Sequence, residues 1–148
     1  MKISLFLFII VALSRCSSVR PEYDSIKDGF ITTNGNYSLG TEQKKIIVKN
    51  LENSAKIFAI TDARGEILYQ QPLNATFSDN HYWLCYADDK DNVYYYNSDY
   101  SEGKALIWNS ELQKYDEKNF CSTQIHLPEK FKEELKNNTT LTDCMSLQ

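Results

Sequence analysis

His81 and His126 are the two imidazoles of this 148-residue chain. Together with Arg64 and Glu66 they are the groups that could move protons and steady a phosphate, as the acid, base and cation of a ribonuclease do. A Ser-His-Asp or Cys-His site would have to draw on the same two histidines. Neither lies in a recognisable motif: His81 flanks a strand-like run and His126 ends one, so the four residues are nominated by elimination alone. The carboxylate pairs Asp88-Asp89 and Glu133-Glu134 fit a solvated turn and a helix face better than the acids of a glycosidase. No glycine-rich phosphate loop and no C-x-x-C occur, and the histidines lack ligand neighbours at zinc spacing. No enzyme activity, cofactor or metal is therefore expected.

The cysteines and asparagines suggest structural chemistry instead. Met1-Lys2 gives a positive start, residues 3–13 are apolar apart from Ser4, and Cys16-Ser17-Ser18 offers small residues at a cleavage site. That run is shorter than the roughly 20 apolar residues of a membrane span. Arg15 also stands where a lipid-attachment cysteine wants a small neighbour. The expectation is a signal peptide over 1–18 and a secreted, soluble domain over 19–148. Loss of Lys2 and Arg15 takes the basic residues from 16 to 14 against 20 acids, a net charge of −6. Such acidity disfavours nucleic acid, whose backbone is bound by displacing counterions with Lys and Arg.

Three cysteines then remain. Cys85 in "YWLCYA" and Cys121 in "NFCSTQI" sit in strand-like surroundings and are the expected disulfide, leaving Cys144 in a polar tail as a free thiol or a bridge to a second chain. Sequons at Asn36, Asn74, Asn137 and Asn138 are glycosylation candidates if the source is eukaryotic, with Asn74 and Asn138 favoured.

The elements that must position these groups are mostly strands. Residues 30–33 and 36–39 flank Asn34-Gly35, the pattern of a two-residue hairpin. "AKIFAI" and "ILYQQPL" are joined at Arg64-Gly65, and "HYWLCYA" and "VYYY" are joined by the charged turn "DDKDN". "KALIWN" and "NFCSTQIHL" read as two further strands separated by the polar segment 110–118. "LPEKFKEELKNN" is a helix, with Pro128 at its start, Glu129 near its positive end, and Phe131 and Leu135 on one face. Residues 41–53 read as a second helix, with Thr41 as N-cap and 46, 47 and 51 on one face, although "KIIVKN" fits a strand as well. The last dozen residues read as loose. The sum is one α+β domain, an antiparallel sheet of five to seven strands with one or two helices.

In "NVYYYNSDYSEGKALIWN", alternation puts Val93 and Tyr95 on one side of a strand and Tyr94 and Tyr96 on the other, so one aromatic face is expected in the core and the other partly exposed. Tyr94, Tyr96 and Tyr100 are accordingly the binding candidates, since tyrosine is enriched where interfaces carry their energy.

"EYDSIKDGFITT" resembles the opening of the small secreted ribonuclease-like effectors of powdery mildew fungi. Tyr23 and Phe30 match the aromatic and the following phenylalanine of that family, while Ser25 stands where its first cysteine belongs. Cys144 sits where the closing cysteine would be, and "GKALIWN" followed by "NFCSTQIH" is similar to the late strands. The resemblance implies a virulence protein without catalysis, delivered to a plant host and binding a host protein or RNA. Two other classes stay open: a lipocalin-like carrier whose aromatic strands line a pocket, and a βγ-crystallin-like module, suggested by the spacing of Tyr95, Tyr100 and Gly103. A secreted ribonuclease ranks last.

Overall fold

In Ile46-Ile47-Val48 three consecutive β-branched side chains favour extended backbone, and residues two apart share a face. The computed structural model describes residues 23–32, 35–40, 43–100, 102–139, 141 and 144–147, and in it this run is a strand rather than the helix expected over 41–53. Ile46 is buried on one side and Ile47 half-buried on the other, while Leu51 falls beyond the strand and is exposed. A helix would have put all three on one stripe.

The elements in chain order are β1 (Asp24–Ser25), β2 (Gly29–Phe30), β3 (Asn36–Ser38), β4 (Lys44–Asn50), β5 (Ala55–Asp62), β6 (Ile67–Gln70), β7 (Phe77–Ser78), β8 (Trp83–Ala87), β9 (Val93–Asn97), β10 (Glu102–Asn109), β11 (Lys114–Asn119) and the helix α1 (Glu129–Asn138). One sheet is ordered β1-β3-β4-β5-β6, with β7 also on β5, and the second is ordered β11-β10-β9-β8-β2. All pairings are antiparallel except β1 with β3. The class is α+β as expected, with the strands divided between two sheets of six and five.

The β5–β6 and β8–β9 hairpins form where the sequence places them. Gly65 takes φ +88° in the first turn, a backbone region that glycine enters without steric cost. In the second, Asp88 Oδ1 accepts hydrogen bonds from the backbone N–H groups of Lys90 and Asn92, each at 2.9 Å, so the acidic residues of "DDKDN" build the turn. The hairpin expected around Asn34-Gly35 does not form: β2 pairs with β8 and β3 with β4, because the chain crosses between sheets there and buries Ile31 and Tyr37 in the core. Residues 33 and 34, like the expected signal segment 1–18, lie outside the described residues. The partner of β10 is "KYDEKN", not "NFCSTQIHL"; as the outermost strand of its sheet, β11 tolerates the charges that made it read as a loop.

Two cores follow. Ile46, Phe58, Ile60, Phe77, Tyr95 and Leu106 fill the space between the sheets. On the other side of the second sheet, Tyr86, Tyr94 and Tyr96 pack under Phe131 and Leu135 of α1. Both faces of β9 are therefore buried, against the expectation of one exposed face. Gly103, opposite Tyr96, leaves room for the ring of Phe120, into which a Cβ would run.

The disulfide joins Cys121 to Cys144, which corrects the expected Cys85–Cys121 pair. Cys85 points into the core between the sheets, out of reach of the helix layer where Cys121 and Cys144 lie, and remains a buried free thiol. Cys144 is thus not available to bridge a second chain. Nor are the last residues loose where they are described: Met145 N–H donates to Cys121 O, Ser146 N–H donates to Phe120 O, and Leu147 is buried.

Candidate functional site

Three turns and the start of β4 meet at one end of the two sheets. Lys44, the first residue of β4, reaches Asp91 in the β8–β9 turn with Nζ 2.6 Å from Oδ2, and the two side chains are only 8 % and 2 % exposed. The same ammonium lies 4.0 Å from the ring centroid of Trp108 near the end of β10, a cation–π contact. Asp91 is held from its other side as well. It takes a left-handed φ of +64°, which aspartate tolerates better than most residues, and its carbonyl accepts the hydroxyl of Tyr115 at 2.9 Å. Burial, followed by the charges of Asp91 and Asp88, pushes the Tyr115 phenol well above its ordinary pKa, so it stays a donor. The backbone N–H of Trp108 donates to Asn92 Oδ1 at 2.9 Å. Lysine, aspartate and indole are fixed by contacts from three strands.

Across from them the β5–β6 turn is held by Asp62. Its Oδ1 accepts from the backbone N–H groups of Arg64 at 2.9 Å and Glu66 at 2.8 Å. Arg64 then donates from Nε to Asp62 Oδ2 at 3.0 Å and from Nη2 to Glu66 Oε2 at 2.8 Å, so the guanidinium is pinned between two carboxylates while remaining largely exposed. Burial opposes ionisation of Asp62, but these N–H donors outweigh it and hold its carboxyl below the usual aspartate range. The hydrogen bond to Asp62 likewise raises Arg64.

Between the two groups lies an open cleft of about 600 Å³, with Gln43, Leu68, Lys90, Ser110 and Gln113 completing its walls. Three cations, Lys44, Arg64 and Lys90, face three anions, Asp62, Glu66 and Asp91. The turns that flank it carry two exposed apolar side chains outside the lining: Ile67 at 65 % after Glu66, and Leu112 at 61 % before Gln113.

The residues nominated from sequence fall mostly elsewhere. Tyr94 and Tyr96 are covered by α1 and are not a surface, which corrects their reading as contact residues. Tyr100 is exposed on the β9–β10 loop, at the opposite end of β9 from the cleft. His81 is at that far end too, with Nδ1 2.7 Å from Asp99 Oδ1, while His126 is exposed on the connection to α1. Of the four groups nominated for acid–base work, the described residues bring together only Arg64 and Glu66. Asn74 is exposed on the short turn Leu73–Ala75. Asn138 is exposed on α1, its amide donating to Glu134 O and Oε1, and Asn36 is half-buried in β3. The aromatic strands that a carrier would use to line a pocket pack on one another instead, Phe77 stacking on Trp83 at 4.4 Å and Phe58 meeting Tyr95 edge-on at 5.3 Å. Tyr23 lies under the Lys45 ammonium and Phe30 packs edge-on against Tyr86.

Lys44, Asp91 and Trp108 were not singled out from the sequence. The signal available was that "DDKDN" holds more charge than a turn needs. Comparison with protein-family models, with curated proteins and with solved structures finds no match to this chain.

Proposed function

We propose that this is a secreted, non-catalytic binding protein that acts on a host or extracellular partner, as effector proteins do, and that the partner seats on the cleft end of the sheets. The observation that carries this reading is the cleft itself, a fixed floor of Lys44, Asp91 and Trp108, with the exposed Ile67 and Leu112 on the turns that flank it. A surface of this kind combines exposed apolar anchors with arginine and tryptophan, the residue types enriched where interfaces carry their energy. Because Arg64 and Lys44 are already held by neighbours, little side-chain freedom remains to be lost on binding.

The absence of catalysis in this reading is supported by how the charges are used. Lys44 is neutralised by Asp91, and Arg64 by Asp62 and Glu66, so the cleft holds matched pairs rather than a base poised to take a proton. Secretion is supported by the N-terminal pattern and by the disulfide, which persists in an oxidising compartment. The test is capture of a partner from extracellular fluid by the intact protein and by Ile67→Glu and Leu112→Glu variants. These exposed sites leave the fold intact, and each substitution is expected to weaken capture at least tenfold. Equal capture by both variants, or RNA hydrolysis that vanishes in His81→Ala, would overturn the reading.

A further inference from the structure

Taking the cleft as the binding site just proposed, we infer that what it recognises is a neutral carbohydrate, a glycan borne by the partner or a free polysaccharide. The first ground is charge. Three cations and three anions line one cavity, so a phosphate or sulfate would meet the carboxylates of Asp62, Glu66 and Asp91, and a polyamine would meet Lys44, Arg64 and Lys90. A neutral ligand avoids both penalties, and the hydroxyls of a sugar, which donate and accept, use both kinds of group at once.

The second ground is pre-organisation of planar polar groups. The guanidinium of Arg64 is clamped in place by Asp62 and Glu66 and remains open to solvent. Gln113 is held likewise, its Nε2 donating to Ser110 O at 2.6 Å, which fixes the direction of its free amide oxygen. Fixed fork-shaped donors and acceptors suit adjacent hydroxyls on a ring and lose little entropy on binding. The third ground is that the cleft is not wholly polar. Leu68 and the edge of the Trp108 indole, whose face carries the Lys44 ammonium, supply apolar surface for the C–H groups of a pyranose beside the hydrogen-bonding rim. The volume of about 600 Å³ lies within the roughly 300–1,000 Å³ of small-ligand sites.

The experiment uses the mature protein against an array of neutral and charged glycans, followed by titration of the best oligosaccharide, and partner capture before and after enzymatic removal of the partner's glycans. The inference expects binding to uncharged glycans that changes less than twofold with added salt, and a drop of tenfold or more in Gln113→Ala and in Arg64→Ala. Trp108→Ala should abolish it; Gln113 is exposed, so its variant keeps the test valid if the tryptophan variant fails to fold. Capture that depends on Ile67 and Leu112 but survives deglycosylation, with no glycan bound, overturns the carbohydrate and leaves the binding site standing. Binding restricted to anionic glycans and lost with salt overturns the neutral class. No cleft-dependent binding of any kind overturns both readings.

Discussion

Asp91→Asn removes the counter-charge of an ammonium that is only 8 % exposed, and the cost can be worked from the contacts around it. Breaking a buried ion pair by neutralising one partner costs about 3–5 kcal/mol, because the remaining charge stays desolvated. Lys44 keeps the face of Trp108 at 4.0 Å, which offsets about 1 kcal/mol. Asparagine accepts the left-handed φ of +64° and can still hydrogen-bond to Nζ, so backbone strain adds little. The expected loss is about 2–4 kcal/mol, a shift in urea midpoint of about 1–2 M at a slope near 2 kcal/mol/M. Adding Lys44→Met should restore much of that loss, since an apolar stem beside Trp108 has no charge to desolvate. Urea unfolding followed by tryptophan fluorescence measures both variants. A loss below about 1 kcal/mol in Asp91→Asn, or a double variant no more stable than the single one, would refute the reasoning, since a buried charge left unpaired cannot be that cheap.

Other outcomes follow from the helix layer. Phe131 is fully buried against Tyr86, Tyr94 and Phe120, so Phe131→Ala should cost about 3–5 kcal/mol in the same assay. Replacing Cys121 and Cys144 together by serine should cost about 3 kcal/mol, from the 23-residue separation that the bond closes, and non-reduced peptide mapping should show that pair and an unmodified Cys85. Asp28 is exposed and accepts hydrogen bonds from the Tyr86 hydroxyl and then from Lys130, and these hold its carboxyl below the ordinary 3.8. A carboxyl lowered in the folded state contributes stability above its unfolded pKa and loses it as pH falls through the folded value. The stability difference between wild type and Asp28→Asn should therefore shrink below pH 3.8; a difference that stays constant down to about pH 2 counts against that assignment.

What could be read from the chain depended on whether the cause was local. The turn "DDKDN" and the hairpin it closes were legible because Asp88 caps backbone only two and four residues away. The helix was legible because Phe131 and Leu135 recur one turn apart. Residues 44–50 were misread because the spacing of 46, 47 and 51 fits a helix, and only pairing with β5 over seven residues decides for a strand. "KYDEKN" was missed because an outermost strand carries charge where an inner one would not. The cysteine pairing was misread because Cys85 and Cys121 share a strand-like setting, but opposite faces of the second sheet separate them. The cleft was least legible of all. Lys44 and Asp91 are 47 residues apart, and nothing short of the register of both sheets brings them together.

The bond between Cys121 and Cys144 makes a covalent ring that contains all of α1. That ring is the lid over Tyr86, Tyr94 and Tyr96, and it has its own core, separate from the one between the sheets. A layer with its own core and its own tether can open as a cooperative unit without melting the rest. Reduction turns the ring into an open segment, and the stabilisation that its closure contributes is lost. Amide exchange on β9 is therefore expected to be faster in the reduced than in the oxidised protein, and equal exchange would show that the bond does not hold the layer down.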